Sequence, residues 1–138
     1  MGKREVWQYS MRAVLNAVNK VLKENKINYS FRRKRGKIIY PYLVGEIYET
    51  GSDDESGITE YEFLLNGFDR EEEDTRLLEL AENVEAMFPK TGGRLLQVKN
   101  GGMCIWYDKT IPDIPTGTDT ELNRIQIMLK IKRWKGGL

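Results

Sequence analysis

Residues 122–134, LNRIQIMLKIKRW, alternate without a break: Ile125, Ile127, Leu129 and Ile131 hold every second position against Arg124, Gln126, Met128, Lys130 and Lys132. A period of two sends successive side chains to opposite faces, so the stretch predicts a long half-buried strand with one apolar and one basic face. Trp134 stands at the end of the basic face, and WKGGL (134–138) reads as a loose tail.

Upstream, IPDIPTGTDT (111–120) is a Pro-rich loop. Before it, RLLQV (94–98) and MCIWYD (103–108) flank Lys99-Asn100-Gly101-Gly102, and Asn-Gly between two apolar runs signals a hairpin. Leu77, Leu80, Ala81, Val84, Met87 and Phe88 keep helical spacing, and Pro89 with Gly92 and Gly93 ends the run, which predicts a helix over 70–88. Asp69 with Glu72 three residues on resembles a capping box, and the acids of REEED (70–74) suit a helix N-terminus.

Further upstream, ITEYEFLLNGFD (58–69) sets Tyr61, Phe63 and Leu65 on one face, and TGSDDESG (50–57) is a cluster of turn formers. IIYPYLVGEIYE (38–49) is of strand type, but Pro41 lacks an N–H, so a strand is expected over 42–49 at an edge or strand start. Residues 42–68 thus form a hairpin with a long acidic loop. INYSFRRKRGK (27–37) reads as a short strand, Ile27, Tyr29 and Phe31 alternating with polar residues, that runs into a basic turn at Gly36. Trp7, Met11, Val14, Leu15, Val18, Val21 and Leu22 fall at steps of three and four, giving a helix over 3–24 stopped near Asn25.

The order is helix, short strand, hairpin, helix, three strands. It predicts an α+β domain over 1–138, an antiparallel sheet with two helices packed on one face and the other face open to solvent or a partner. A chain of 138 residues, 40% apolar and 31% charged, has the size of one domain and can bury a core beneath a soluble surface.

The sequence holds no histidine and one cysteine, which excludes a Ser-His-Asp triad, a Cys-His dyad and zinc sites built on Cys and His. An enzyme is therefore not expected, nor a cofactor or metal. Cys104, flanked by strand residues, reads as a small core hydrophobe. Asp53, Asp54 and Glu55 lack EF-hand spacing, and the acids at 71–74 are accounted for by capping, so neither cluster is expected to hold a metal or do acid/base work. Gly92-Gly93 and Gly101-Gly102 open no helix and make no phosphate loop. No stretch approaches the roughly 20 apolar residues of a membrane span, and MGKREVWQYS is followed by no apolar signal core, so the expectation is an intracellular protein.

A net charge of +1 hides blocks: residues 1–40 carry 11 Lys and Arg against 2 acids, residues 41–89 carry 2 against 15, and residues 90–138 carry 9 against 4. Opposite fields in separate segments allow a molecule to dock on a copy of itself, or cancel when folding mixes them. The sharpest basic feature is Arg32-Arg33-Lys34-Arg35-Gly36-Lys37. It supports three readings: a solvated turn, a docking loop for Asp53, Asp54 and Glu55 of a neighbouring subunit, or a nucleic-acid contact with Tyr29 and Phe31 stacking on bases.

The order of elements, with the stretch Tyr40-Pro41-Tyr42-Leu43-Val44-Gly45-Glu46, resembles the tail-terminator and tail-completion (head-tail joining) proteins of long-tailed bacteriophages. The resemblance implies an α+β structural subunit of a virion or prophage that forms a hexameric ring, assembled in the bacterial host cytoplasm. It implies tail tube and head-connector partners, possible non-specific DNA contact, no membrane and no catalytic residues. The charge blocks suit such a ring, in which one patch meets a different patch on the next copy, with the hairpin as a natural arm. Arg124, Gln126, Met128, Lys130 and Lys132 are the expected face toward the tube or the lumen.

Overall fold

The computed structural model describes residues 3–53, 55–71, 73, 75–98, 101–112 and 114–135, with side chains from residue 11 onward except that of Asp53. The elements run α1 (Lys3–Glu24), β1 (Tyr29–Phe31), β2 (Tyr42–Asp53), β3 (Ile58–Asp69), α2 (Thr75–Met87), β4 (Arg94–Val98), β5 (Gly101–Ile111) and β6 (Asn123–Lys135). They build a mixed α+β fold, one six-stranded sheet in the order β1-β2-β3-β6-β5-β4. None of the described helices is long and apolar enough to cross a membrane.

The alternation read in residues 122–134 sets the sheet's two faces. Ile125, Ile127, Leu129 and Ile131 of β6 are fully or almost fully buried, beside Tyr61, Phe63 and Leu65 of β3 and Met103, Ile105 and Tyr107 of β5. These join one core cluster with Val14, Val18, Val21 and Leu22 of α1 and Leu77, Ala81, Val84 and Met87 of α2. Each large apolar side chain taken from water there contributes roughly 1.5–3 kcal/mol, and this burial fixes the register of all the strands at once.

The structure corrects several sequence expectations. The sheet is not antiparallel throughout: β1 lies parallel to β2, Tyr29 opposite Leu43 and Phe31 opposite Gly45. Residues 32–41 carry the chain back to the end of the sheet from which β1 began, so β2 leaves in the same direction. The acidic loop is much shorter than expected, because β2 continues past Glu49 through a bulge and pairs Gly51, Ser52 and Asp53 with Glu60, Thr59 and Ile58. The arm is thus a long hairpin with a described tip at 55–57, and β3 is flanked along its whole length by β2 on one side and β6 on the other; Asp54 lies outside the described residues.

Helix α2 begins at Thr75, not at residue 70, because Asp69 still belongs to β3, paired with Asn123. The expected cap falls partly on Glu72, outside the described residues, as does Asn100 of the second hairpin, where Val98 pairs with Gly101. Trp134 and Lys135 belong to β6, not to a loose tail.

Candidate interaction surfaces

The basic turn leaves β1 at the outer edge of the sheet. Its backbone is held where the chain leaves β1: Arg32 N–H donates to the Gly45 carbonyl at 2.8 Å, Arg33 N–H to that of Phe31 at 2.9 Å, and Arg35 N–H to the Ser30 hydroxyl at 3.4 Å. Arg32 adopts a left-handed φ of 68° and sets its guanidinium 5.5 Å from the Phe31 ring centre. Farther along, the Asn28 amide donates to the carbonyls of Ile39 at 2.7 Å and Pro41 at 3.2 Å. Between these anchors Arg32, Arg33, Arg35 and Lys37 are exposed. None of the ion pairs among the described residues involves a cation of this turn.

Two apolar side chains stand in the open beside those cations, Ile38 at 53% and Ile39 at 61% exposure. The sequence offers a signal for them: Pro41 brings no N–H to a ladder and β2 begins only after it, so Ile38 and Ile39 are residues of strand type that stand outside the sheet. Tyr29 and Phe31, read as possible base-stacking residues, are half-buried against the core. The Tyr29 hydroxyl is buried with no hydrogen-bond partner, and burial pushes its pKa up. These two rings are not presented to a base.

Of the acids Asp53, Asp54 and Glu55, Asp53 ends β2 and Glu55 follows at the far end of the arm. Eight strand steps at about 3.3 Å each put Asp53 roughly 26 Å from Gly45, whose carbonyl accepts the Arg32 N–H. The structure therefore does not bring Arg32, Arg33, Lys34 and Arg35 together with Asp53–Glu55 in one chain; Asp54 itself and the Asp53 side chain lie outside the described residues. Along the way β2 presents Tyr48, 50% exposed, whose hydroxyl donates to a Glu46 carboxylate oxygen at 3.0 Å. That hydrogen bond, with the charge of Glu46, raises the Tyr48 pKa. Glu49 and Thr50 are exposed beside it, and beyond Gly45 no described strand lies against the outer edge of β2.

The sheet face turned away from the helices carries Arg124, Gln126, Met128, Lys130 and Lys132, as the alternation predicts. Their cross-strand neighbours on β3 are Phe68, Asn66, Leu64, Glu62 and Glu60. Arg124 and Gln126 both donate to the Asn66 side-chain oxygen, at 2.9 and 3.2 Å, and Lys132 lies 3.7 Å from Glu60. Lys130 and Lys132, with Glu60, Glu62, Thr50 and Trp106, line a shallow depression of about 420 Å³. At one end of this face the Tyr42 ring stacks on Phe68 at 5.1 Å and meets the tilted Tyr40 ring at 5.7 Å, with Arg70, Lys34 and Arg124 lying over the three rings.

Cys104 lies on this open face too, opposite Lys132, and not in the core. Met103, Ile105 and Tyr107 take the buried positions, so the parity of β5 sends Cys104 and Trp106 outward. Its thiol donates to the Gly92 carbonyl at 3.5 Å, and desolvation raises its pKa despite nearby Lys132.

Two polar clasps escaped the sequence reading because their partners are distant in the chain or in another element. Arg70 holds Asp119 through both carboxylate oxygens, at 3.2 and 2.5 Å, and donates to the Tyr40 hydroxyl at 3.0 Å, tying the Pro-rich loop to the start of β2. Arg76 holds the buried Asp69. Among the described residues no group of three His, Cys, Asp or Glu side chains is placed to hold a metal ion.

No protein-family model matches the chain, and no curated protein matches it. Among solved structures it is similar to a chain of the "Virion of native gene transfer agent (GTA) particle", with 12% sequence identity and a TM-score of 0.62. The match covers 91% of this chain and 93% of that one, and at this identity the likeness concerns the fold.

Proposed function

We propose that the chain is a structural, non-enzymatic subunit of a phage-like virion or prophage, a tail terminator or tail-completion protein that works as a ring at the head-tail joint. The observation that carries this reading is the fold likeness to a chain of a gene transfer agent virion over most of both chains. The charge layout supports it: the exposed cations of 32–37 begin beside Gly45 of β2, and Asp53 ends that strand roughly 26 Å farther on at about 3.3 Å per residue, so each copy offers unlike patches to its neighbours. The open face of β6, Arg124 to Lys132, is the surface proposed to meet the tail tube or line the lumen. On it Lys132 pairs with Glu60 across the strands, and Lys130 stands opposite Glu62.

The test is native mass together with negative-stain images of the purified chain and of particles from its host. A closed ring of about six copies, or the chain at one end of the tail, is the expected result. A monomer that is also missing from purified particles overturns the reading.

A further inference from the structure

We infer that the loop at 32–37, with the adjoining corner of the open sheet face, binds the phosphate backbone of DNA. The inference goes beyond the ring reading and stands or falls without it.

Charge density is the first ground. Arg32, Arg33, Lys34, Arg35 and Lys37 put five cations into six residues. All but Lys34 are exposed, and none takes part in an ion pair among the described residues. Such a run repels itself, and a duplex, with about one negative charge per 1.7 Å of its axis, relieves that repulsion more densely than scattered carboxylates can. Three of the five are guanidiniums, whose planar fork matches a pair of phosphate oxygens. Two acids lie close by in the fold, and both are engaged. Glu46, next to the Gly45 that holds the Arg32 N–H, accepts the Tyr48 hydroxyl, and Asp119 is held by Arg70.

The cations do not stop at the loop. Lys34 turns back over the Tyr42 ring at 5.9 Å, Tyr42 stacks on Phe68, and Arg124 lies 5.8 Å from the Phe68 ring centre. The ring pair thus carries a cation at each end and leads from the loop across β2 and β3 to β6. Preorganisation is the third ground. The Arg32, Arg33 and Arg35 N–H groups fix one end of the loop's backbone and the Asn28 amide fixes the other. Binding therefore has to order side chains only, which lowers its entropic cost.

Ile38 and Ile39 stand exposed beside the run, so an anionic lipid surface is the rival ligand, cations around aliphatic groups being suited to a membrane interface. The track to Arg124 favours DNA, because a lipid contact would centre on the isoleucines and make no use of a third strand.

The experiment is fluorescence anisotropy of a labelled DNA duplex titrated with the full chain between about 50 and 200 mM salt. Four phosphate contacts, each adding about −0.9 to the slope of log affinity against log salt, predict a loss of roughly 100-fold over that range. Arg32→Gln, Arg33→Gln, Arg35→Gln and Lys37→Gln together should weaken binding tenfold or more and flatten the slope, with the melting temperature unchanged because all four side chains are exposed. Arg124→Gln should weaken binding threefold or more, and an unchanged affinity overturns the part assigned to the sheet face. Arg12→Gln with Lys20→Gln, two exposed cations of α1, should leave the affinity within twofold.

No binding at about 50 mM salt overturns the inference, since phosphate contacts are strongest at low salt. A loss in the α1 variant as large as that in the loop variant also overturns it, because general charge and not this site would then hold the duplex. Sedimentation with vesicles of phosphatidylglycerol and phosphatidylcholine tests the rival. Loop-dependent binding to the vesicles, with none to the duplex, assigns the loop to lipid and overturns the inference.

Discussion

Asp69 and Arg76 meet carboxylate to guanidinium across the bend between β3 and α2, Nε donating to one oxygen at 2.9 Å and Nη2 to the other at 2.5 Å. The Asp69 side chain is 1% exposed, whereas that of Arg76 is 41% exposed and also lies 3.0 Å from Glu71. The bend is thus held by an acid that water does not reach, which also accepts the Arg70 N–H at 2.8 Å. Asp69→Asn keeps the shape and removes the charge, and should cost about 1–3 kcal/mol in urea unfolding. Arg76→Ala should cost less than Asp69→Asn, and the reverse order would show that the guanidinium and not the buried acid fixes the bend.

Phe63 lies at the centre of the sheet's buried face with no exposed surface. Phe63→Ala removes its contacts and leaves a cavity, so a loss of about 3–5 kcal/mol is expected. Leu95→Ala, on the exposed edge strand, should change stability by no more than about 0.5 kcal/mol. Similar losses for the two would mean that the buried layer is misassigned.

Gly102 faces the Trp134 ring so closely that a Cβ would sit 2.8 Å from its nearest carbon. Gly102→Ala must displace the indole, and should cost about 1–3 kcal/mol in thermal or urea unfolding. Pairing it with Trp134→Leu should recover part of the loss. A double variant no more stable than the glycine variant would contradict the clash.

Asp119 is held below the usual carboxylate range, first by the hydrogen bonds from Arg70. An acid depressed on folding contributes stability that is complete above its unfolded value near 3.9 and is lost as pH falls through the folded value. The clasp on the Pro-rich loop should therefore weaken only below about pH 4. Asp119→Asn should flatten that acid limb of stability against pH, and an unchanged limb would leave the clasp without a thermodynamic role.

On the open face, Met128→Glu and Lys130→Glu should leave the melting temperature nearly unchanged, since neither side chain enters the core cluster. Both should nevertheless abolish infectious particles in complementation if this face meets the tube or lumen. Full complementation by both would move the working surface to the arm at 42–68.

Much of this fold can be read from periodicity. The two-residue alternation of 123–135 and 58–69 and the three-and-four steps of 11–22 are dictated by burial, and burial won. What composition suggested about 50–57 was wrong for a physical reason: Gly51, Ser52 and Asp53 favour turns, but β6 extends alongside β3 as far as Ile58 and keeps the ribbon zipped. The direction of β1 was not legible because three residues carry no record of which end of the sheet the following chain returns to. At the candidate surfaces, the cations at 32–37 and the acids at 53–55 were visible. The separation of Arg32, beside Gly45, from Asp53 at the end of β2 was not, and neither was the exposure of Ile38, Ile39 and Tyr48, which depends on where the ladder stops.

Strand β6 lies between β3 and β5, at the centre of the sheet, although it is the last of the described strands in the chain. During translation, every earlier strand leaves the ribosome before the one that joins them. Until residues 123–135 emerge, β1-β2-β3 and β5-β4 are separate pieces, each with a long apolar edge and nothing to close it. A chain that ends before residue 123 therefore cannot close the sheet and is suited to proteolysis.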